Sequence, residues 1–85
     1  MIMKYFARFR ANNGSTYSAE AYEFTNKQKA VKAMRESVEA NHFQQHGNRS
    51  SYEVWNEDGI IVASAVCCDH NLRWYIRHDE IGGHI

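Results

Sequence analysis

The chain has 85 residues, of which 44% are hydrophobic and 13% aromatic, enough for one globular domain with a thin core. Ten basic and ten acidic residues give a formal net charge of zero. This balance argues against a general nucleic-acid binder, which needs a marked basic excess, and equally against an acidic mimic of DNA.

The termini and the cysteines indicate where the protein works. The start has no apolar run of signal-peptide length, and no stretch approaches the roughly 20 apolar residues of a membrane span. Cys67 and Cys68 are adjacent, so in a strand they point to opposite faces and a disulfide between them would be strained. We therefore expect a cytoplasmic protein with reduced thiols and no membrane contact.

Residues 4–24 alternate between apolar and polar side chains, which predicts two antiparallel strands. The first covers residues 4–11 and the second runs from about residue 15 to residue 24, with a turn at Asn12-Asn13-Gly14. A two-residue loop would place Glu20 opposite Ala7 on the apolar face. We prefer a three-residue loop, which pairs Ala7 with Ala19 and Phe9 with Tyr17.

Residues 26 to about 45 repeat with helical spacing. Thr25 to Gln28 resembles a capping box with Thr25 as the N-cap, and Gly47 is a suitable C-cap residue. The apolar stripe is narrow, so the helix is expected to pack on one surface only. Its members are Ala30, Val31, Met34 and Val38, with Ala33 beside them.

Three further strands are predicted at residues 51–55, 60–68 and 72–77. Gly59 is well placed for a G1 bulge in the first connecting turn. Two registers stay open there, because a three-residue loop pairs Val54 with Val62 and a two-residue loop pairs Trp55 with Val62. Residues 78–85 are expected to form a mobile tail.

These elements have the order β-β-α-β-β-β. They predict a single α+β domain over residues 1–85, with an antiparallel sheet of four to five strands and one amphipathic helix on one face.

Residue types that bind metals or act as nucleophiles occur near the C-terminus, but their spacing is poor. Zinc sites need pairs whose side chains converge, and a catalytic cysteine needs a histidine and an orienting group. We therefore predict no metal site, no cofactor, no catalytic residue and no enzymatic activity. The residues considered are Cys67, Cys68, Asp69, His70, His78 and His84.

Arginines and aromatic residues alternate on the sheet face that the helix leaves uncovered. Such residue types are enriched where proteins bind one another, and they also form stacking platforms for single-stranded bases. We predict a protein-binding site that takes a host protein or ribonucleoprotein complex, or a second copy of the chain. Single-stranded nucleic acid is the alternative ligand. The predicted partner-binding residues are Phe6, Arg8, Arg10, Tyr22, Arg73, Tyr75 and Arg77 on the sheet, and Lys29, Lys32 and Arg35 on the polar helix face.

The hairpin from Tyr5 to Phe24, followed by Thr25-Asn26-Lys27-Gln28-Lys29-Ala30 at the start of an amphipathic helix, resembles small phage proteins that inhibit host functions, in particular anti-CRISPR proteins. The resemblance covers size and element order across nearly the whole chain. It implies a stoichiometric, non-catalytic inhibitor that occupies a surface of a host defence complex. The same order also resembles antitoxin-like modules, which bind a toxin and sometimes DNA.

Overall fold

The computed structural model describes residues 3–11, 21–41, 49–68 and 73–79. One helix packs against a five-stranded antiparallel sheet, which confirms the predicted α+β class. The elements are β1 (Tyr5–Arg10), β2 (Tyr22–Phe24), α1 (Lys27–Asn41), β3 (Arg49–Asn56), β4 (Ile61–Cys68) and β5 (Arg73–Asp79).

The strand order across the sheet is β2-β1-β3-β4-β5, and every neighbouring pair is antiparallel. The chain forms the β1–β2 pair first, crosses the sheet through α1, and returns with β3 on the other side of β1. Each side of β3 is therefore bonded to a neighbour. Its buried positions, Tyr52 and Val54, are correspondingly at the centre of the core.

The predicted register of the first hairpin is wrong. Ala7 pairs with Tyr22 and Tyr5 with Phe24, whereas the alternation predicted Ala19 opposite Ala7. The observed register brings two large rings to the apolar face, and the Tyr22 ring stacks on Phe9 with 6.5 Å between the centroids. The turn at Asn12-Asn13-Gly14 and the predicted partners Tyr17 and Ala19 lie outside the described residues.

The N-cap of α1 is Asn26, one residue later than the predicted Thr25. The Lys29 amide donates to Asn26 Oδ1 at 3.0 Å, and the Ala30 amide donates to the Asn26 carbonyl at 3.1 Å. Asn is as good a cap as Thr or better, so both residues fit the local pattern. The predicted continuation to about residue 45 and the C-cap at Gly47 lie outside the described residues.

Helix α1 packs mainly on β1 and β3. Its predicted stripe is buried at Ala30, Met34 and Val38, and Lys27 joins them at 8% exposure. Ala30 meets the sheet where β1 carries Ala7, and both alanines are fully buried. Small side chains on both elements let the helix backbone approach the sheet closely. The core cluster comprises Ala7, Ala30, Met34, Tyr52, Val54, Val62, Ala63 and Ala65.

The turn between β3 and β4 has a three-residue loop, which is one of the two forms that the sequence left open. The Gly59 amide donates to the Asn56 carbonyl at 3.0 Å, and the Asn56 amide donates to the Ile60 carbonyl at 2.9 Å. Gly59 has a φ of 79°, the left-handed conformation that a G1 bulge requires.

A second bulge follows this turn, so neither register left open from the sequence persists along the hairpin. Trp55 pairs with Ile61, but Val54 pairs with Ala63 because Val62 is an extra residue. Both Val62 and Ala63 are buried, as expected where a bulge turns two successive side chains to one face.

Strand β5 continues to Asp79, so the predicted tail does not begin at residue 78. His78 pairs with Ser64 and Asp79 pairs with Ala63. Arg77 is an extra residue between Ile76 and His78. The bulge interrupts the alternation of apolar and polar residues at residue 77. A prediction from alternation therefore ends the strand there, although pairing continues to Asp79. Residues 80–85 lie outside the described residues.

Candidate binding interface

The sheet has two different faces. Alternation along the paired strands assigns thirteen described residues to the face opposite α1, which we call the outer face. Among the described residues, no helix or strand covers it. The outer face consists of Phe6, Arg8, Arg10, Glu23, Arg49, Ser51, Glu53, Trp55, Ile61, Ser64, Val66, Arg73 and Tyr75.

One end of the outer face holds an aromatic pair with charges beside it. The rings of Phe6 and Trp55 stack with centroids 6.3 Å apart, and Arg8 Cζ lies 5.6 Å from the Trp55 ring centroid. Arg8 Nε also donates to Glu53 Oε1 at 2.7 Å. The ring planes and the central ion pair therefore stabilise one another within the sheet.

The other end of the outer face is basic. Arg10 belongs to a row of paired positions that runs through Ser51 and Val66 to Tyr75. Arg49 and Arg73 both pair with Cys68 from opposite sides, which places their backbones two strand spacings, or about 10 Å, apart. Arg73 and Tyr75 are exposed. This end has the charge to attract an anionic surface.

The outer face is positively charged although the whole chain is neutral. It carries four arginines and two glutamates. Glu53 lies against Arg8, and Glu23 lies 3.6 Å from the Lys4 ammonium next to the start of β1. Both acidic residues among the thirteen sit toward the aromatic end, so the described arginines at the basic end form a cluster that the neutral composition does not reveal.

Two of the predicted sheet residues are placed differently from the prediction. Tyr22 lies on the helix-covered face, because it pairs with the buried Ala7 and stacks on Phe9. Arg77 occupies the bulge in β5, where alternation no longer assigns a face. The structure brings Phe6, Arg8, Arg10, Arg73 and Tyr75 together on the outer face as expected.

The three basic residues predicted for the polar helix face separate into two environments. Lys29 and Lys32 are exposed. Arg35 is half-buried instead, since its Nε donates to the Tyr52 hydroxyl at 3.2 Å. Its Cζ lies 5.5 Å from the Trp74 ring centroid and 5.8 Å from that of Tyr52. Arg35 therefore covers the edge of the core while remaining partly exposed.

Arg49 and Trp55 belong to the outer face but were not among the residues predicted for it from the sequence. Arg49 stands two residues before Ser51, so a third strand begun two residues earlier would have included it. Trp55 is assigned to the outer face by its neighbour Val54, which is fully buried. A strand that alternates around a buried valine sends Tyr52 inward and Trp55 outward, and this rule was available from the sequence.

The residues that the structure describes assemble no group of metal ligands. No cluster of three His, Cys, Asp or Glu side chains within residues 3–11, 21–41, 49–68 and 73–79 could hold a metal ion. Cys67 is a buried thiol in β4. In the same ranges, α1 is too short and too polar to cross a membrane.

Comparisons with known proteins give no relative. No protein-family model matches the chain, and neither the curated proteins nor the solved structures include a match.

Proposed function

We propose that this protein is a non-catalytic binding module that uses its outer face to hold an acidic surface of a protein partner. The observation that carries the proposal is the separation of residues on that face, with a packed aromatic cluster at one end and Arg10, Arg49, Arg73 and Tyr75 at the other. Arginine and aromatic side chains supply most of the binding energy in protein interfaces, and charge complementarity orients the partner.

The aromatic cluster favours a protein over single-stranded nucleic acid. Bases bind such sheets by stacking on open ring faces. Phe6 and Trp55 instead stack on each other, and Arg8 lies over Trp55. The local basic excess supports nucleic acid as the second candidate, because arginines in a row also contact phosphates.

A narrower form of the proposal concerns the partner's identity. The resemblance to anti-CRISPR proteins supports a phage-encoded inhibitor that acts in the host cytoplasm by blocking a defence complex. An antitoxin-like role would use the same surface. Both forms require stoichiometric binding without turnover.

The test uses two exposed tyrosines on opposite faces as a matched pair. Tagged protein is incubated with a nuclease-treated bacterial lysate in moderate salt, and captured proteins are identified by mass spectrometry. Tyr75 is 53% exposed on the outer face, and Tyr22 is 47% exposed on the helix-covered face. Tyr75→Ala is expected to weaken binding of the captured partner at least tenfold, as for an interface anchor, whereas Tyr22→Ala leaves it unchanged.

A second matched pair tests the charge. Arg73→Glu and Lys29→Glu change the net charge equally, and both residues are exposed, but only Arg73 lies on the outer face. We expect Arg73→Glu alone to reduce partner affinity. Equal effects of the two substitutions, or none, would contradict the surface assignment. Capture that disappears after nuclease treatment and falls steeply with salt would instead establish nucleic-acid binding.

A further inference from the structure

A groove lies on the opposite side of the sheet from the outer face, between α1 and the inward side chains of β3, β4 and β5. It has a volume of about 450 Å³, within the range of sites that hold small molecules. We propose that this groove binds a small amphipathic anion, namely a carboxylate with an apolar body. The proposal is independent of the partner proposed for the outer face.

The floor of the groove is apolar and incompletely covered. Val31 from the helix, Ala63 from β4 and Ile76 from β5 line it together with the Tyr52 ring. Ile76 pairs with the buried Ala65, so it lies on the helix-covered face, yet 47% of it is exposed. An apolar ligand body placed there would remove this surface from water, which is favourable in proportion to the area covered.

Basic residues outnumber acidic ones in the groove lining, with Lys27, Lys32 and Arg35 against Glu36 and Glu39. Lys27, Val31 and Arg35 stand four residues apart, so they form one row along α1 facing the groove. Lys27 is almost fully buried and Arg35 half-buried. The acidic lining residues, Glu36 and Glu39, are exposed, and Glu39 continues the row because it stands four residues after Arg35. An apolar floor beside the Arg35 guanidinium and the exposed Lys32 is complementary to an anion with an apolar body.

Contacts within the protein orient the Arg35 guanidinium. Its Nε donates to the Tyr52 hydroxyl at 3.2 Å, and its Cζ lies 5.5 Å from the Trp74 ring centroid. Using Nε in this way leaves the two terminal nitrogens directed away from that bond, in the fork that matches a carboxylate. A preoriented guanidinium loses less entropy on binding than a mobile one.

The experiment compares three eight-carbon ligands of similar length: octanoate, octanol and octylammonium. Each is titrated into the intact protein, and amide shifts are followed by ¹H–¹⁵N NMR. Octanoate is expected to shift amides of α1 from Lys27 to Arg35 and of β5 around Ile76, with an affinity that falls as salt increases. Octanol should bind at least tenfold more weakly, since it lacks the charge, and octylammonium should not bind at the groove.

Three variants test the charge. Arg35→Gln is expected to weaken octanoate binding about tenfold, and Lys32→Gln, at the exposed rim, about threefold. Lys29→Gln is the matched control, because Lys29 is exposed on the same helix but does not line the groove. Lys32→Gln and Lys29→Gln decide the outcome if Arg35→Gln loses its fold.

Four results would overturn the proposal. They are the absence of octanoate shifts at millimolar concentration, shifts confined to the outer face, equal binding of octanol or octylammonium, and equal affinities of the Lys32→Gln and Lys29→Gln proteins.

Discussion

Arg35 shows how a charged side chain takes part in packing in a small domain. The guanidinium lies over the rings of Tyr52 and Trp74, which meet edge to face with centroids 5.3 Å apart. A long side chain can cover apolar surface with its stem while its charged end stays hydrated. In a chain with a thin core, this contact covers apolar surface between α1 and the strands β3 and β5.

We expect Met34 to contribute more to stability than an exposed side chain of similar size. It is only 1% exposed and belongs to the cluster between α1 and the sheet. Met34→Ala removes buried methylene and sulfur contacts and leaves a cavity, so we expect unfolding to become easier by about 2–5 kcal/mol. Urea denaturation followed by circular dichroism measures this change.

The matched control is Met3→Ala, because Met3 is 45% exposed. Its expected effect is within about 0.5 kcal/mol. Similar losses for the two variants would mean that the helix–sheet contact does not dominate stability.

At the scale of elements, Thr25 and Asn26 at the start of α1 differ in their contribution to capping the helix. Asn26 makes the capping hydrogen bond to the Lys29 amide, whereas Thr25 precedes the cap. Asn26→Ala is expected to destabilise the protein by about 1 kcal/mol, and Thr25→Ala by less than about 0.5 kcal/mol. Thermal denaturation of both variants checks this, and a larger loss for Thr25→Ala would restore the capping box predicted from sequence.

The predictability of each element follows from the range of its interactions. The spacing of apolar residues alone predicted that α1 is a helix and that the other elements are strands, because helices and strands each bury one face locally. The pairing of Ala7 with Tyr22 was not, because it depends on the Phe9–Tyr22 ring contact and on a connection whose length alternation does not specify. Bulges at Val62 and Arg77 likewise arise from fitting whole strands together.

The residues of the candidate site also differ in whether the sequence could predict their positions. Phe6, Arg8 and Arg10 could be assigned to one face from alternation within β1. The contact of Arg35 with Trp74 joins residues that are far apart in sequence, so no local pattern indicates it. The local basic excess of the outer face also required the strand order, because Arg10 and Arg73 come from opposite ends of the chain.

At the scale of the whole molecule, neutrality governs solubility. The formal net charge is zero and the isoelectric point is about 7.0, so molecules repel one another least near neutral pH. We expect the saturating concentration to be lowest near pH 7 and to rise on both sides, most clearly at low salt. Light scattering of protein equilibrated across a pH series measures it.

Lys29→Glu provides the control for that series. Lys29 is exposed on α1, and the substitution lowers the net charge by two. The solubility minimum is then expected to move below pH 7. A minimum that stays in place would show that the basic end of the outer face, rather than net charge, governs self-association.

The position of each strand in the sheet also sets how readily it opens. Strand β3 is bonded to β1 and β4 and packed under α1, whereas β5 is bonded to β4 alone in the described sheet. Fluctuations that release β5 break one ladder, but those that release β3 dismantle the whole structure. The outer face includes residues from strands that differ in how readily they open, because Arg10 belongs to β1 and Tyr75 to β5. A partner that holds both would suppress fraying of β5, so recognition and local rigidity become thermodynamically linked.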